Sequence, residues 1–252
     1  MEQQGRYSRN RIHISDQEQE MIRECGVFIA GCGIGSYIAE SLLRLGFENL
    51  TIVDGDVVEL TNVNRQNYTE SDIGLLKAEV LRKRLLTINS SAKINVFSKF
   101  ITEDNLTGFD LASCKVAINA LDFSTRAPFL FDDTCTKLGI PVIHPYNLGW
   151  AGFATVITKE SRNIRSLDNS HKVFELNVGQ FIVESLKDRN IPAGWLEDFL
   201  LRYKEIAGQF PPPQLSIGLF LLSGLVSHVI FDIATRKPVK EFPDFYYLSL
   251  LQ

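Results

Sequence analysis

The chain has 252 residues, 45% of them apolar and 22% charged, with a formal net charge of −4. That composition excludes a disordered, collagen-like or globally basic nucleic-acid-binding chain, and the length suffices to bury a core without staples. The four cysteines, Cys25, Cys32, Cys114 and Cys135, form no CxxC pair. Neither a disulfide framework nor a zinc site is therefore expected, and a reducing, cytoplasmic setting is the default.

The polar N-terminal stretch reads as short helices and not as a signal peptide. Ser15 to Glu18 fits a capping box, with Met21 and Ile22 following it. Apolar runs at 27–30, 50–53, 93–97, 116–119, 141–144 and 152–158 predict strands. Helical spacing predicts helices over 36–45, ending at Gly46, and over 75–88 and 124–138. This alternation implies an α/β fold with a doubly wound, mainly parallel sheet. Residues 159–172 are polar and read as a loop. Residues 174–208 look helical, interrupted at 192–194, and Pro211–Pro213 is a hard break. The apolar segment 214–234 reads as a buried core helix rather than a membrane span. Residues 245–250 predict a terminal strand, so the late elements can extend the same sheet.

Gly31, Gly33 and Gly35 form a G-x-G-x-G turn between a predicted strand and a predicted helix. Such a turn lets the backbone approach a phosphate, and the helix N-terminus supplies donors. Asp54 follows Gly33 by 21 residues at the end of the second strand, where an acid accepts from ribose hydroxyls. A dinucleotide and ATP both fit these features. Arg65 and Lys77 add cations after the second strand, which a triphosphate needs and a nicotinamide does not. Asp122 follows the fourth strand, where it can hold Mg²⁺ or cap the next helix. His13, His144, His171 and His228 show no metal spacing. His144 reads as a satisfied structural residue. Tyr146 and Trp150 can border a substrate path, although packing is the default for both. The thiol of Cys32 sits near a helix N-terminus that would lower its pKa.

With these residues in place, the sequence resembles the ThiF/MoeB-type adenylyltransferases of the ubiquitin-activating superfamily. The resemblance rests on RYSRN at 6–10, the glycine turn, VDGDVVELTNVNRQ at 53–66, GLLKAE at 74–79, INALD at 118–122 and GIPVIH at 139–144. It implies one domain with a Rossmann-like fold, a nucleotide-binding core over 1–158 and a substrate-docking extension over 159–252. It also implies ATP and Mg²⁺ as cofactors. Gly31, Gly33, Gly35, Asp54, Asp56, Asn62, Arg65, Gln66, Lys77 and Asp122 would bind the nucleotide, with Asp122 supporting the metal. Arg65, Lys77, Asp122 and Arg9 would serve catalysis, Arg9 reaching across a homodimer interface. Cys32 and Ile34 stand where the family turn is usually richer in glycine, and Asn10 replaces the usual Gln. No cysteine follows Cys135, so no thioester or persulfide step is expected, and the family's paired CxxC zinc ligands do not occur.

The chemistry implied is attack of a carboxylate on the α-phosphate of ATP, giving an acyl-adenylate and pyrophosphate. The donor would be the C-terminus of a small carrier protein or peptide. A sulfur carrier, a ubiquitin-like modifier and a peptide antibiotic precursor all fit, whereas the acidic balance weakens a tRNA substrate. No nucleic-acid or membrane partner is expected. A non-catalytic dimeric scaffold of the same fold and an NAD-dependent oxidoreductase are the alternatives.

Overall fold

A computed structural model describes residues 5–168 and 173–251. Among them runs one seven-stranded sheet in the order β3-β2-β1-β4-β5-β6-β7. Its strands are β1 (Gly26–Ala30), β2 (Asn49–Val53), β3 (Lys93–Phe97), β4 (Val116–Asn119), β5 (Val142–Asn147), β6 (Ala151–Ile157) and β7 (Tyr246–Ser249). The first five are parallel, whereas β6 and β7 are antiparallel to their neighbours. Residues 148–150 join β5 to β6 with a Leu148 N–H to Ala151 carbonyl bond of 3.0 Å. A link that short permits only a hairpin, since a parallel return needs a long crossover.

The helices are α1 (Asp16–Glu24), α2 (Gly35–Leu45), α3 (Lys77–Ile88), α4 (Ala127–Lys137), α5 (Phe174–Asp188), α6 (Gly194–Ile206) and α7 (Ser216–Ala234). The capping box predicted at Ser15 and Glu18 forms at the N-terminus of α1, each side chain accepting from the other residue's N–H. Helices α1, α2, α3 and α7 pack on one face of the sheet, around Ile29, Leu42 and Val226. On the other face α4, α5 and α6 pack around Phe28, Phe131 and Ile182. Each fully buried side chain of this kind contributes about 1.5–3 kcal/mol. At 19 residues α7 is long and apolar enough to cross a membrane. Here its Leu219, Leu222, Val226 and Ile230 are buried, and it packs on β5, β6 and α2.

Most boundaries shift by one to three residues from the sequence expectation, and two of the shifts bear on the site. α3 starts at Lys77 and not at 75, and α4 starts at Ala127 and not at 124. Before α4, Asp122 Oδ1 accepts from the Ser124 N–H at 2.7 Å and Thr125 Oγ1 from the Ala127 N–H at 3.2 Å. These side-chain turns compete with the helix for its first donors. Asp122 therefore closes a turn ahead of α4 instead of capping it.

Candidate functional site

β2 and β3 lie on one side of β1, and β4 to β7 on the other. The carboxyl ends of β1 and β4 thus form the switch point where open α/β sheets bind ligands. The Gly31 N–H donates to the Val53 carbonyl at 2.9 Å, and the Ala120 N–H to the Ala30 carbonyl at 2.9 Å. Gly31 has φ +94°, and a Cβ there would lie 2.4 Å from the Ala120 carbonyl oxygen. Only glycine fits that position. Gly35 opens α2 against Ile29, while Gly33 faces Gln66 across the space where a Cβ would lie 3.3 Å from Nε2.

The turn is held from below. Asp54, buried at the end of β2, accepts from the Cys32 N–H at 2.6 Å and from the Asp56 N–H at 2.7 Å. The Tyr68 hydroxyl donates to the Cys32 carbonyl at 2.9 Å. Burial raises the Asp54 carboxyl above its usual value, opposed by those two N–H groups and by Lys77. Burial and the Asp54 charge also push the Cys32 thiol well up, so the lowered pKa expected at a helix N-terminus does not occur.

Two cavities open on this turn. The first, of about 590 Å³, is lined by Gly31, Asp54, Asp56, Lys77, Thr102 and Asp122. Lys77 is buried along its stem, and its Nζ lies 3.1 Å from Asp56 Oδ2. The second, of about 200 Å³, is lined by Arg65, Gln66, Tyr146, Glu175, Phe199 and Tyr203. Both include Gly33 and Ala120 to Asp122, so they meet at the glycine turn. Volumes of a few hundred Å³ suit a nucleotide-sized ligand.

Arg65 is fixed by three contacts. Its Nε donates to Gln214 Oε1 at 2.8 Å, and one terminal nitrogen to the Thr61 carbonyl and Asn64 Oδ1. Burial lowers its pKa, but a guanidinium stays charged at neutral pH. Gln66 Oε1 is buried without a hydrogen-bond partner, an acceptor left over beside Gly33. Asp122 is exposed, with Oδ1 engaged by Ser124 and Oδ2 without a hydrogen bond among the described residues. A hard cation that keeps most of its waters suits such a carboxylate. The residues present therefore fit both a nucleotide and Mg²⁺.

Not every candidate residue gathers here. Asn62 lines neither cavity, and its Oδ1 accepts from the Glu59 N–H at 3.0 Å to close a local turn. Arg9 is exposed, with no hydrogen bond or ion pair among the described residues. Its neighbour Asn10 donates to the Leu45 carbonyl, so Arg9 sits by the far end of α2 from the glycine turn. Eleven residues of helix separate the two by about 16 Å. His144 is buried, with Nε2 3.0 Å from Asp132 Oδ1, which Asn119 Nδ2 also reaches at 2.8 Å. Tyr146 lines the second cavity, and Trp150 a neighbouring groove with Trp195. His171 lies outside the described residues. Among the described residues no cluster of three or more His, Cys, Asp or Glu could hold a metal alone.

Sequence reading missed the wall formed by Lys99 to Glu103 after β3, and Glu175, Phe199 and Tyr203 in the second cavity. The carboxyl end of β3 was a usable signal for the first group. The second group had none, because residues 174–208 read only as helical, with no motif among them.

Known proteins resemble this chain in sequence and in fold. The chain is 32% identical over 165 residues to the sulfur carrier protein ThiS adenylyltransferase of Bacillus subtilis, covering 62% of this chain and 48% of that protein. It is 32% identical over 126 residues to the tRNA threonylcarbamoyladenosine dehydratase of Escherichia coli, covering 49% and 47%. The chain thus spans about half the length of the curated relatives it matches. The structure of E. coli MccB with ATP superposes with a TM-score of 0.72 at 18% identity, covering 98% of this chain and 72% of that one. At that identity the likeness shows the fold alone. The ThiF family pattern matches residues 7–239, a span holding the glycine turn, both cavities and the cations between them, and the chain belongs to the ThiF family.

Proposed function

We propose that this chain is an ATP-dependent adenylyltransferase that activates a carboxylate, the C-terminus of a small carrier protein or peptide, with release of pyrophosphate. The observation that carries the reading is the meeting of the two cavities at Gly33 and Asp122, with Lys77 in one and Arg65 in the other. ATP would occupy the larger cavity and the carboxylate would arrive through the smaller. A C-terminal carboxylate, with a pKa of about 3.3–3.7, is ionised at neutral pH, so attack needs no general base. The obstacle is that an anion must approach a polyanion, and fixed positive charge removes it.

In this reading Gly31 and Gly33 lie against the phosphates, and Asp54 accepts from the ribose hydroxyls with lone pairs its two backbone donors leave free. Lys77 and Arg65 hold phosphate oxygens. Asp122 would hold Mg²⁺, which supplies further charge neutralisation when bound. Gln66 offers its unpartnered Oε1 at the junction. Asp56, paired with Lys77, holds that ammonium toward the cavity. Gly35 and Asn62 shape the turn and loop around the nucleotide without touching it. The nicotinamide alternative leaves Lys77 and Arg65 without work.

The reading also includes a homodimer in which Arg9 serves the partner's site. Its support is that Arg9 stands free and far from its own glycine turn. The outward face of α7 also exposes Ile217 and Phe220, and a helix apolar all round calls for cover. Four buried free thiols support a reducing, cytoplasmic setting. Residues 159–252 act as the docking extension of one domain, supported by α5 and α6 lining the smaller cavity.

ATP–pyrophosphate exchange with carrier proteins and peptides tests the reading. Carrier-dependent exchange that disappears in Asp122→Ala supports it. ATP binding without exchange for any carrier would favour the scaffold alternative.

A further inference from the structure

The smaller cavity has a chemistry of its own. It starts at the junction where the reacting carboxylate would lie, so it surrounds whatever precedes that carboxylate. Glu175, in the first turn of α5, lines it. Burial raises the Glu175 pKa, and the Asp122 charge raises it further. No cation forms an ion pair with Glu175 among the described residues. Arg65, the one Lys or Arg lining this cavity among the described residues, is held through its Nε and one terminal nitrogen by Gln214, Thr61 and Asn64 and makes no ion pair with Glu175. Around Glu175 stand the rings of Phe123, Tyr146, Phe199 and Tyr203, and the Tyr146 hydroxyl is buried without a partner.

A tail that ends in glycine would bring a bare negative charge into a cavity that already holds Glu175. A desolvated carboxylate without a partner is costly, and like charges in a confined site oppose each other. A basic side chain relieves both problems. It pairs with Glu175, offsets the tail's own charge, and lies against aromatic faces that attract cations.

We propose that the carboxylate substrate is a chain whose last residue carries a basic side chain, with Glu175 as the residue that selects it. The proposal rests on the carboxylate-activation reading above and adds the identity of the terminal residue.

The test uses short synthetic peptides that differ only in the last residue, Lys, Asn, Gly or Glu, in ATP–pyrophosphate exchange. The Lys-ended peptide should exceed the Gly- and Asn-ended ones by about tenfold or more in kcat/KM, as expected for a charge-assisted contact. Glu175→Gln should remove that preference while ATP affinity stays unchanged, and Glu175→Lys should move it to the Glu-ended peptide. Equal rates for all ends, an Asn preference, or a Lys preference that survives Glu175→Lys would overturn the proposal. Calorimetric binding of the same peptides, with a non-hydrolysable ATP analogue present, separates the two readings. Tighter binding of the Lys-ended peptide without exchange would sink adenylation and leave the assignment of Glu175 standing. Equal or absent binding overturns the assignment itself.

Discussion

Asp54 accepts from the Cys32 amide at 2.6 Å, a bond that ties the end of β2 to the middle of the glycine turn. Its other oxygen takes the Asp56 N–H, so one buried carboxylate orders both the turn and the loop that leads to Lys77. Asp54→Ala strands both donors. The cost should be about 2–4 kcal/mol, at about 1–3 kcal/mol for the buried Cys32 N–H and about 1 kcal/mol for the part-buried Asp56 N–H. Thermal denaturation should show a fall of about 4–16 °C for a chain of this size. Asp54→Asn keeps one acceptor and should lose about half as much. Equal losses for Asn and Ala would show that the two backbone bonds are not what Asp54 contributes.

The two glycines of the turn should fail differently. In Gly31→Ala the new Cβ meets the Ala120 carbonyl at 2.4 Å in a left-handed backbone, so the β1–β4 junction must open. That variant should be destabilised by about 2 kcal/mol or more, the cost of strain combined with a clash. Gly33→Ala meets only the Gln66 amide at 3.3 Å, which can rotate away. It should keep its melting temperature and lose ATP affinity, because the methyl fills space at the junction. Calorimetry on both variants checks the contrast, and a stable Gly31→Ala protein would contradict it.

The β1, β3 and β4 segments were legible because each is a short apolar run closed by a turn-forming or polar residue. The glycine turn and Asp54 were legible because their spacing follows from one strand-turn-helix unit. Distant pairing was not. Arg65 owes its position to Gln214, 149 residues away, and no local pattern encodes that contact. Asp132 and Asp133 look alike on a helix, yet the fold buries the first against His144 and Asn119 and leaves the second at the surface with Arg165. Cys32 shows the same limit: its place at a helix N-terminus was readable, but the burial that outweighs the dipole was not.

Lys77 and Arg9 separate the roles of the two copies in the proposed dimer. Lys77→Ala should lower exchange on the order of 10²–10³, as loss of one preorganised charge does. Arg9 is exposed and unbonded, so Arg9→Ala should leave stability within about 0.5 kcal/mol while exchange falls. In a mixed population of the two variants, one site of each mixed dimer has an intact Lys77 and receives an intact Arg9. Random pairing in a two-fold dimer then restores about a quarter of wild-type exchange. Co-expression with two purification tags provides the mixture. No recovery in the mixed dimer would show that Arg9 does not act across an interface.

Glu175→Gln gives a pH signature that does not depend on turnover. The ordinary value of a glutamate is 4.5, and burial, with Asp122 nearby, holds Glu175 above it in the folded protein. The unfolded chain therefore releases this proton at lower pH than the folded one. Well below pH 4.5 the side chain is protonated in both states and behaves like glutamine. As pH rises through the folded pKa, ionisation favours the unfolded chain, and the wild type loses stability that the glutamine variant keeps. Glu175→Gln should therefore melt above the wild type at pH 7.5, and the difference should shrink toward zero as pH falls well below 4.5. A variant less stable than wild type at pH 7.5 would mean that the carboxylate is already paired in the free protein. Glu175 would then have no reason to wait for a basic residue from the substrate.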